Sequence, residues 1–191
     1  MMSISKYFLK RKINKTLRNS NRRKEYLNLK EIRSVLILFD TKDYSDASLF
    51  IKQLKKMGKR VKSYAYKDKN DKNDYSNILY NIVTDKDVNI WKNNFMRETV
   101  DILRSESYDL AINLTLQENL LLQYLLVSAD SSFKVGFNKT GLPIYDMVIS
   151  FSPEMEAHGI ITVRELSRQV IHYLATISSG NLKNKKWNAL I

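Results

Sequence analysis

Apolar residues along this chain follow two alternating rhythms. "SVLILFD" (Ser34 to Asp40) is an unbroken apolar run closed by an acid, the pattern of a strand covered on both faces in a parallel sheet. After the polar loop "TKDYSD", Ala47, Phe50, Ile51, Leu54 and Met57 recur at helical spacing. A helix is predicted there, with Ser45 or Asp46 placed to cap it and Gly58 placed to end it. "RVKSYAY" (Arg60 to Tyr66) reads as a second strand and completes a strand–helix–strand unit, and the polar stretch Lys67 to Asn77 reads as a surface loop.

The same rhythms continue downstream. A short strand is predicted at Ile78 to Val83, a helix from Asn94 to Arg104 on Met96, Val100 and Leu103, and a strand at "YDLAINLT" (Tyr108 to Thr115). The segment from Gln117 to Ala129 is apolar almost all round, which a helix tolerates only when covered on more than one side; it is either central to the fold or half of a homodimer contact. "FKVGF" (Phe133 to Phe137) and "YDMVISF" (Tyr145 to Phe151) read as further strands, and Thr162 to Ser178 as a last helix. This alternation predicts an α/β fold, a three-layer sandwich around a mostly parallel sheet. The expected organisation is a helical arm over residues 1–33, one α/β domain over 34–180, and a frayed tail over 181–191 whose one candidate for docking is Trp187.

Charge singles out the arm. Residues 1–33 hold eleven Lys and Arg against two acids, a net +9 of the chain's +12, and the remainder is close to balanced. On a helical wheel Arg11, Lys15, Arg18 and Arg22 share one side while Leu9, Ile13 and Leu17 line the other; Ile4, Tyr7 and Phe8 lean towards the basic side. The arm therefore reads as a basic, narrowly amphipathic helix standing outside the main core. Its expected partner is nucleic acid or another polyanion, met by Arg11, Lys15, Arg18, Arg22, Arg23 and Lys24. Peripheral contact with a membrane surface, or a merely solvated face, are the competing readings.

Several chemistries find no support. The length and 43% hydrophobic content suit one domain with a buried core, and cysteine is absent, so disulfides, thiolate metal sites and a cysteine nucleophile are excluded. The five glycines form neither G-x-G-x-x-G nor G-x-x-x-x-G-K-[ST], and there is no G-x-S-x-G. His158 and His172 have no metal-ligand spacing, and "DKD" (Asp85 to Asp87) is too short a pattern to mark a metal site. No cofactor and no metal are expected. The basic start lacks an apolar signal region, and the longest nearly apolar run, Leu120 to Val127, is too short to span a bilayer, so a cytoplasmic protein is expected. Ligands of open α/β sheets bind beyond the carboxyl ends of strands. Asp40, Asp43, Ser45, Asp46, Asn113, Thr115, Gln117 and Lys139 fall there, a set of carboxylates, amides and one ammonium suited to a polar small molecule. The same residue types also serve as caps and turns.

The stretch "YDLAINLTLQENLLLQYLLVSADSSFKVGF" (Tyr108 to Phe137) resembles a segment of a family of small bacterial proteins known only as a domain of unknown function. It is more distantly similar to the N-terminal half of heptosyltransferase-like glycosyltransferases, where an apolar strand, a leucine-rich helix and an alanine-containing turn lead into a "VGF" strand. That likeness extends loosely over Val35 to Val61, with Asp46 at the place of those enzymes' acid but without their glycine. It implies a Rossmann-like fold. Such enzymes close two such domains around a sugar nucleotide, and one is expected here, so their activity is not carried over. The expected function is that of a non-catalytic α/β domain whose basic arm contacts a partner. The alternatives are a small-molecule or nucleotide-sugar binding domain, or a glycosyltransferase-like half completed by a partner chain, and then a structural, dimer-forming protein.

Overall fold

The computed structural model describes residues 4–75, 80–89, 94–95, 97–137, 141–177 and 180–181. In chain order the elements are α1 (Ile4–Arg18), β1 (Glu25–Tyr26), β2 (Ser34–Asp40), α2 (Tyr44–Lys56), β3 (Arg60–Tyr66), β4 (Asn81–Val83), β5 (Val88–Asn89), β6 (Asn94–Phe95) and α3 (Arg97–Ser105). They continue with β7 (Ser107–Asn113), α4 (Leu120–Ser128), β8 (Asp130–Gly136), β9 (Met147–Val148), α5 (Pro153–Ala157), α6 (Val163–Thr176) and β10 (Gly180–Asn181). Six strands form one sheet in the order β4-β3-β2-β7-β8-β9, and every pairing in it is parallel. Numbered within the sheet this order is 3-2-1-4-5-6, the doubly wound Rossmann-like arrangement, and its strand order reverses between β2 and β7.

All seven residues of β2 are buried, as its continuous apolar run requires of a central strand with helices on both sides. Val35, Ile37 and Phe39 face a core shared with Phe50, Ile51 and Leu54 of α2 and with Leu166, Val170 and Leu174 of α6. Leu36 and Leu38 face the opposite core, with Val100 and Leu103 of α3, Leu120 to Val127 of α4, and Leu9 and Ile13 of α1. Three layers result. Gly58 ends α2 at φ +78°, a left-handed position where glycine alone is unstrained.

The first strand, second strand and main helices fall where the hydrophobic pattern puts them. Other boundaries differ. β4 covers Asn81–Val83 within the predicted Ile78 to Val83, of which residues 78 and 79 lie outside the described residues. α3 begins at Arg97, because Asn94–Phe95 pair with Val88–Asn89 in a small antiparallel ribbon. The strand expected over Tyr145 to Phe151 shortens to Met147–Val148, since Asp146 turns its carboxylate to a buried ion pair. The tail with Trp187 lies outside the described residues.

The larger correction concerns the arm. The expectation that residues 1 to about 30 stand outside the core fails at α1, where Ile13 is fully buried and Leu9 nearly so, both against α4. Leu17 packs against the same core while partly buried, and so thin a stripe suffices because α4 supplies the rest of the apolar surface. The segment after α1 is tied down as well. Arg22 donates to the carbonyls of Ser131 and Ser132, Tyr26 packs edge-on against Phe133, and the Asn28 amide donates to the carbonyls of Ala175 and Ile177. Ile13→Ala should therefore cost about 3 kcal/mol of folding stability in a urea or thermal denaturation, the loss typical of a buried aliphatic truncation. An unchanged midpoint would return α1 to the status of an appendage.

Candidate functional site

Two recesses flank α1. The first lies at the strand-order reversal, beyond the carboxyl ends of β2, β3, β4 and β7, and has a volume of about 1140 Å³. Asp40, the last residue of β2, is 8% exposed and accepts a hydrogen bond from Asn119 Nδ2 at 2.8 Å. Burial pushes its carboxyl up, with the Asn119 bond and Lys42 pulling the other way. Asn119 also caps α4, its side-chain oxygen accepting from the amide of Leu122. Around this pair stand Thr41, which donates to Asp71 at 2.6 Å, Lys42, which reaches Gln117 at 3.4 Å, and Tyr66, which donates to Asp85 at 3.1 Å. Hydrogen bonds from Thr41, Asn73 and Tyr75 hold Asp71 down at about 2.

Carboxylates dominate this cleft. Asp40, Asp68, Asp71, Asp85 and Glu118 line it against Lys6, Lys42 and Lys69. Phosphate normally sits at the N-terminus of the helix after the first strand, cradled by glycine backbone. Here that turn reads Asp40-Thr41-Lys42-Asp43, and Asp43 keeps one buried carboxylate oxygen without a partner among the described residues. This lining suits groups that donate to carboxylates, such as a hydroxyl or an amine, better than a diphosphate. Among the described residues no three His, Cys, Asp or Glu side chains are placed to hold a metal ion.

Of the eight residues predicted for a ligand pocket, Asp40 and Gln117 line this cleft. Asn113 and Thr115 point inward instead. The Asn113 side-chain oxygen accepts from both the amide and the hydroxyl of Thr115, and its Nδ2 donates to the Tyr145 hydroxyl at 2.9 Å. Burial raises that phenol to about 12. The ring of Tyr145 packs against Gly136, where a Cβ would come within 2.4 Å of it, so this glycine is required by close approach. Asp46 binds the Arg164 guanidinium at 2.9 and 3.1 Å and ties α2 to α6 on the far side of the sheet. Ser45 is an exposed residue in the first turn of α2; the N-cap position falls to Asp43, whose side chain makes no capping bond. Lys139 lies outside the described residues.

The second recess, of about 870 Å³, runs along the other flank of α1. It gathers Phe8, Arg11, Lys12 and Lys15 of α1, Arg104 of α3, and Tyr124, Val127 and Ser128 of α4. The Lys12 ammonium stands 5.4 Å over the Tyr124 ring, a cation–π geometry. Desolvation, then Arg104 and Lys15, push the Lys12 pKa down. Among the described residues no ion pair engages Arg11, Lys15, Arg18 or Arg104. Lys12, Arg104 and Tyr124 escape sequence reasoning: Lys12 sits off the basic side of the wheel, and the other two come from helices some ninety residues or more downstream. The spacing of Phe8 and Lys12, one turn apart, is the signal that points to this flank.

Not every predicted cation is available. Arg22 is spent: its guanidinium holds both Asp146 oxygens at 2.6 Å, and both side chains are buried. Arg23 pairs with Glu25 at 2.5 Å, and Lys24 approaches Asp146 at 3.7 Å while half exposed. Arg22 is thus corrected from a polyanion contact to a structural clamp, because Asp146 offers it a fully desolvated carboxylate. Lys134 completes this buried group. It projects from β8 beneath the end of α4 and donates to the carbonyls of Leu126 at 2.6 Å and Ala129 at 3.0 Å, satisfying the helix C-terminus.

Two pH-linked outcomes follow from these environments. Burial brings Lys134 down to about 7, with Arg22 adding to the fall and Asp146 and Asp130 opposing it. The unfolded chain then binds more protons between about pH 7 and 10, so folding stability rises with pH through that window. Lys134→Met should flatten this rise in denaturation midpoints between pH 7 and 9; an identical slope in both proteins would refute the assignment. Asp40 has the opposite sign. Its raised folded value means that ionisation opposes folding, so Asp40→Asn, which keeps an acceptor for Asn119, should raise the midpoint at neutral pH and lose that gain below about pH 4. A lower midpoint at neutral pH would mean that the ionised carboxylate supports the fold.

No curated protein and no solved structure matches the chain. A family profile does, over residues 6–177, from within α1 to just past α6, so it takes in the basic helix together with the sheet. The chain belongs to the family of unknown function DUF6913.

Proposed function

We propose that the chain is a non-catalytic α/β module that binds a phosphate-bearing polymer, nucleic acid, through the groove between α1, α3 and α4. The observation that carries this reading is convergence. Arg11, Lys12, Lys15 and Arg104 reach one recess in which Asp130 is the one acid among the described lining residues, and Ser107 already donates to Asp130 at 2.9 Å. Cations crowded against apolar walls such as Val127 and Ala129 focus a positive potential, and an arriving phosphate offsets the repulsion from Arg104 and Lys15 that adds to desolvation in lowering the Lys12 pKa. Phosphate pairing of this kind sets affinity and carries no sequence information. A cytoplasmic setting goes with this reading.

The membrane alternative weakens on packing grounds. Leu9 and Ile13, the stripe that would enter a lipid surface, are consumed by α4. A second reading, a small polar ligand at the strand-order reversal, is supported by the buried, hydrogen-bonded carboxylate of Asp40. It includes a glycosyltransferase-like half completed by a partner chain, with a sugar hydroxyl rather than a diphosphate meeting Asp40.

Charge reversal tests the first reading. Arg11→Glu with Lys15→Glu should weaken oligonucleotide binding more than about tenfold in fluorescence anisotropy, and should reduce the slope of affinity against salt by about 0.7 to 0.9 for each phosphate no longer neutralised. Lys55→Glu with Lys56→Glu on α2 is the control and should leave binding unchanged. Equal effects of the two pairs would reduce the interaction to net charge and overturn the groove.

A further inference from the structure

We infer that the groove takes single-stranded rather than duplex nucleic acid, with unpaired bases stacked on Phe8 and Tyr7; this rests on the polyanion reading above and narrows it. Tyr7 is 55% exposed and Phe8 43%, and the two rings meet edge to face with centroids 5.8 Å apart. Neither ring belongs to the core, which draws on Leu9 and Ile13 from the opposite side of the same helix. Phe8 lines the groove one turn before Arg11 and Lys12, so an aromatic face stands at the mouth of the cationic recess.

That juxtaposition is the recognition chemistry of unpaired strands: cations track the backbone while aromatic faces accept bases of any sequence. Further along the same recess, the exposed Asn19, Ser20 and Asn21 offer amide and hydroxyl groups to base edges. A duplex gains little here. Its bases are already stacked, so Tyr7 and Phe8 find no partner, and its two backbones call for charge on two sides. Arg11, Lys15 and Arg18 lie along one flank of one helix, spanning about 10 Å at 1.5 Å per residue, and from α3 Arg104 alone joins them among the described lining residues.

Anisotropy on the full chain at low salt, with a short labelled homopyrimidine strand and a duplex of the same length, tests the inference. The single strand should bind tighter, and Tyr7→Ala with Phe8→Ala should weaken it about tenfold, the order of one base–aromatic stack removed, while leaving duplex binding unchanged. Phe8→Trp should retain single-strand affinity. Both rings are exposed, so an unaltered circular dichroism melt is expected and separates a binding defect from a folding defect. Equal or tighter duplex binding, or indifference to the double alanine variant, overturns the single-strand inference; the groove itself then still stands or falls with Arg11→Glu and Lys15→Glu. Failure of both probes to bind the unmodified chain overturns the two together. Binding to anionic phospholipid vesicles that depends on Tyr7 and Phe8, with no oligonucleotide binding, assigns the rings to a membrane surface and overturns both.

Discussion

Helix α4 carries apolar side chains on every side, and the rest of the molecule is arranged around the need to cover them. The sheet buries one side of α4 through Leu36, Leu38 and Ala111, α3 adds Val100 and Leu103, and the remaining side is closed by Leu9 and Ile13 of α1. Each residue of α4 from Leu120 to Ser128 is buried as a result. Such a helix has no stable exposed state in water, since a single uncovered leucine forfeits on the order of 2 kcal/mol of burial. The cover is therefore an intrachain one, and a second copy of the chain is not needed to supply it.

Covering α4 also fixes the direction in which the charge of α1 faces. With Leu9 and Ile13 turned inward, Arg11 and Lys15 turn outward beside Arg104, and the groove forms from a helix whose orientation was decided by packing. Lys10 binds Glu118 on the opposite flank, where the carboxylate-lined cleft begins. One helix thus separates a basic recess from an acidic one. The buried Arg22–Asp146 pair holds the exit from α1 against the start of β8, and the cost of desolvating both ions is offset by the bonds of one guanidinium nitrogen to both carboxylate oxygens and of the other to two carbonyls.

Much of the sheet was legible in the sequence because fully buried parallel strands are written as continuous apolar runs, as at Ser34–Asp40. The role of α1 was not, for a physical reason. A thin stripe reads as weak amphipathicity when the helix is viewed alone, yet Leu9, Ile13 and the partly buried Leu17 are enough when the partner is apolar all round. Charge counting fails in a similar way: nothing local distinguishes Arg22, which is buried on Asp146, from Arg18, which is exposed, because the partner lies 124 residues away. At the strand ends, Asp40 and Gln117 line a cleft, whereas Asn113 and Thr115 turn away from it. Strand position alone cannot separate the two pairs, since the direction of Asn113 is set by Tyr145 and by the glycine beneath its ring.

The cover and the helix it covers are made at very different times. The bond from Arg22 to Ser131 joins residues 109 apart, and the packing of α1 on α4 has a similar reach. Contacts of that range slow folding, because a long loop must close before they form. Synthesis from the N-terminus turns the delay to advantage: α1 exists before the first leucine of α4 is added, so this mostly apolar helix emerges with its shield already made. A circular permutant that moved α1 to the end of the chain would reverse that order of events.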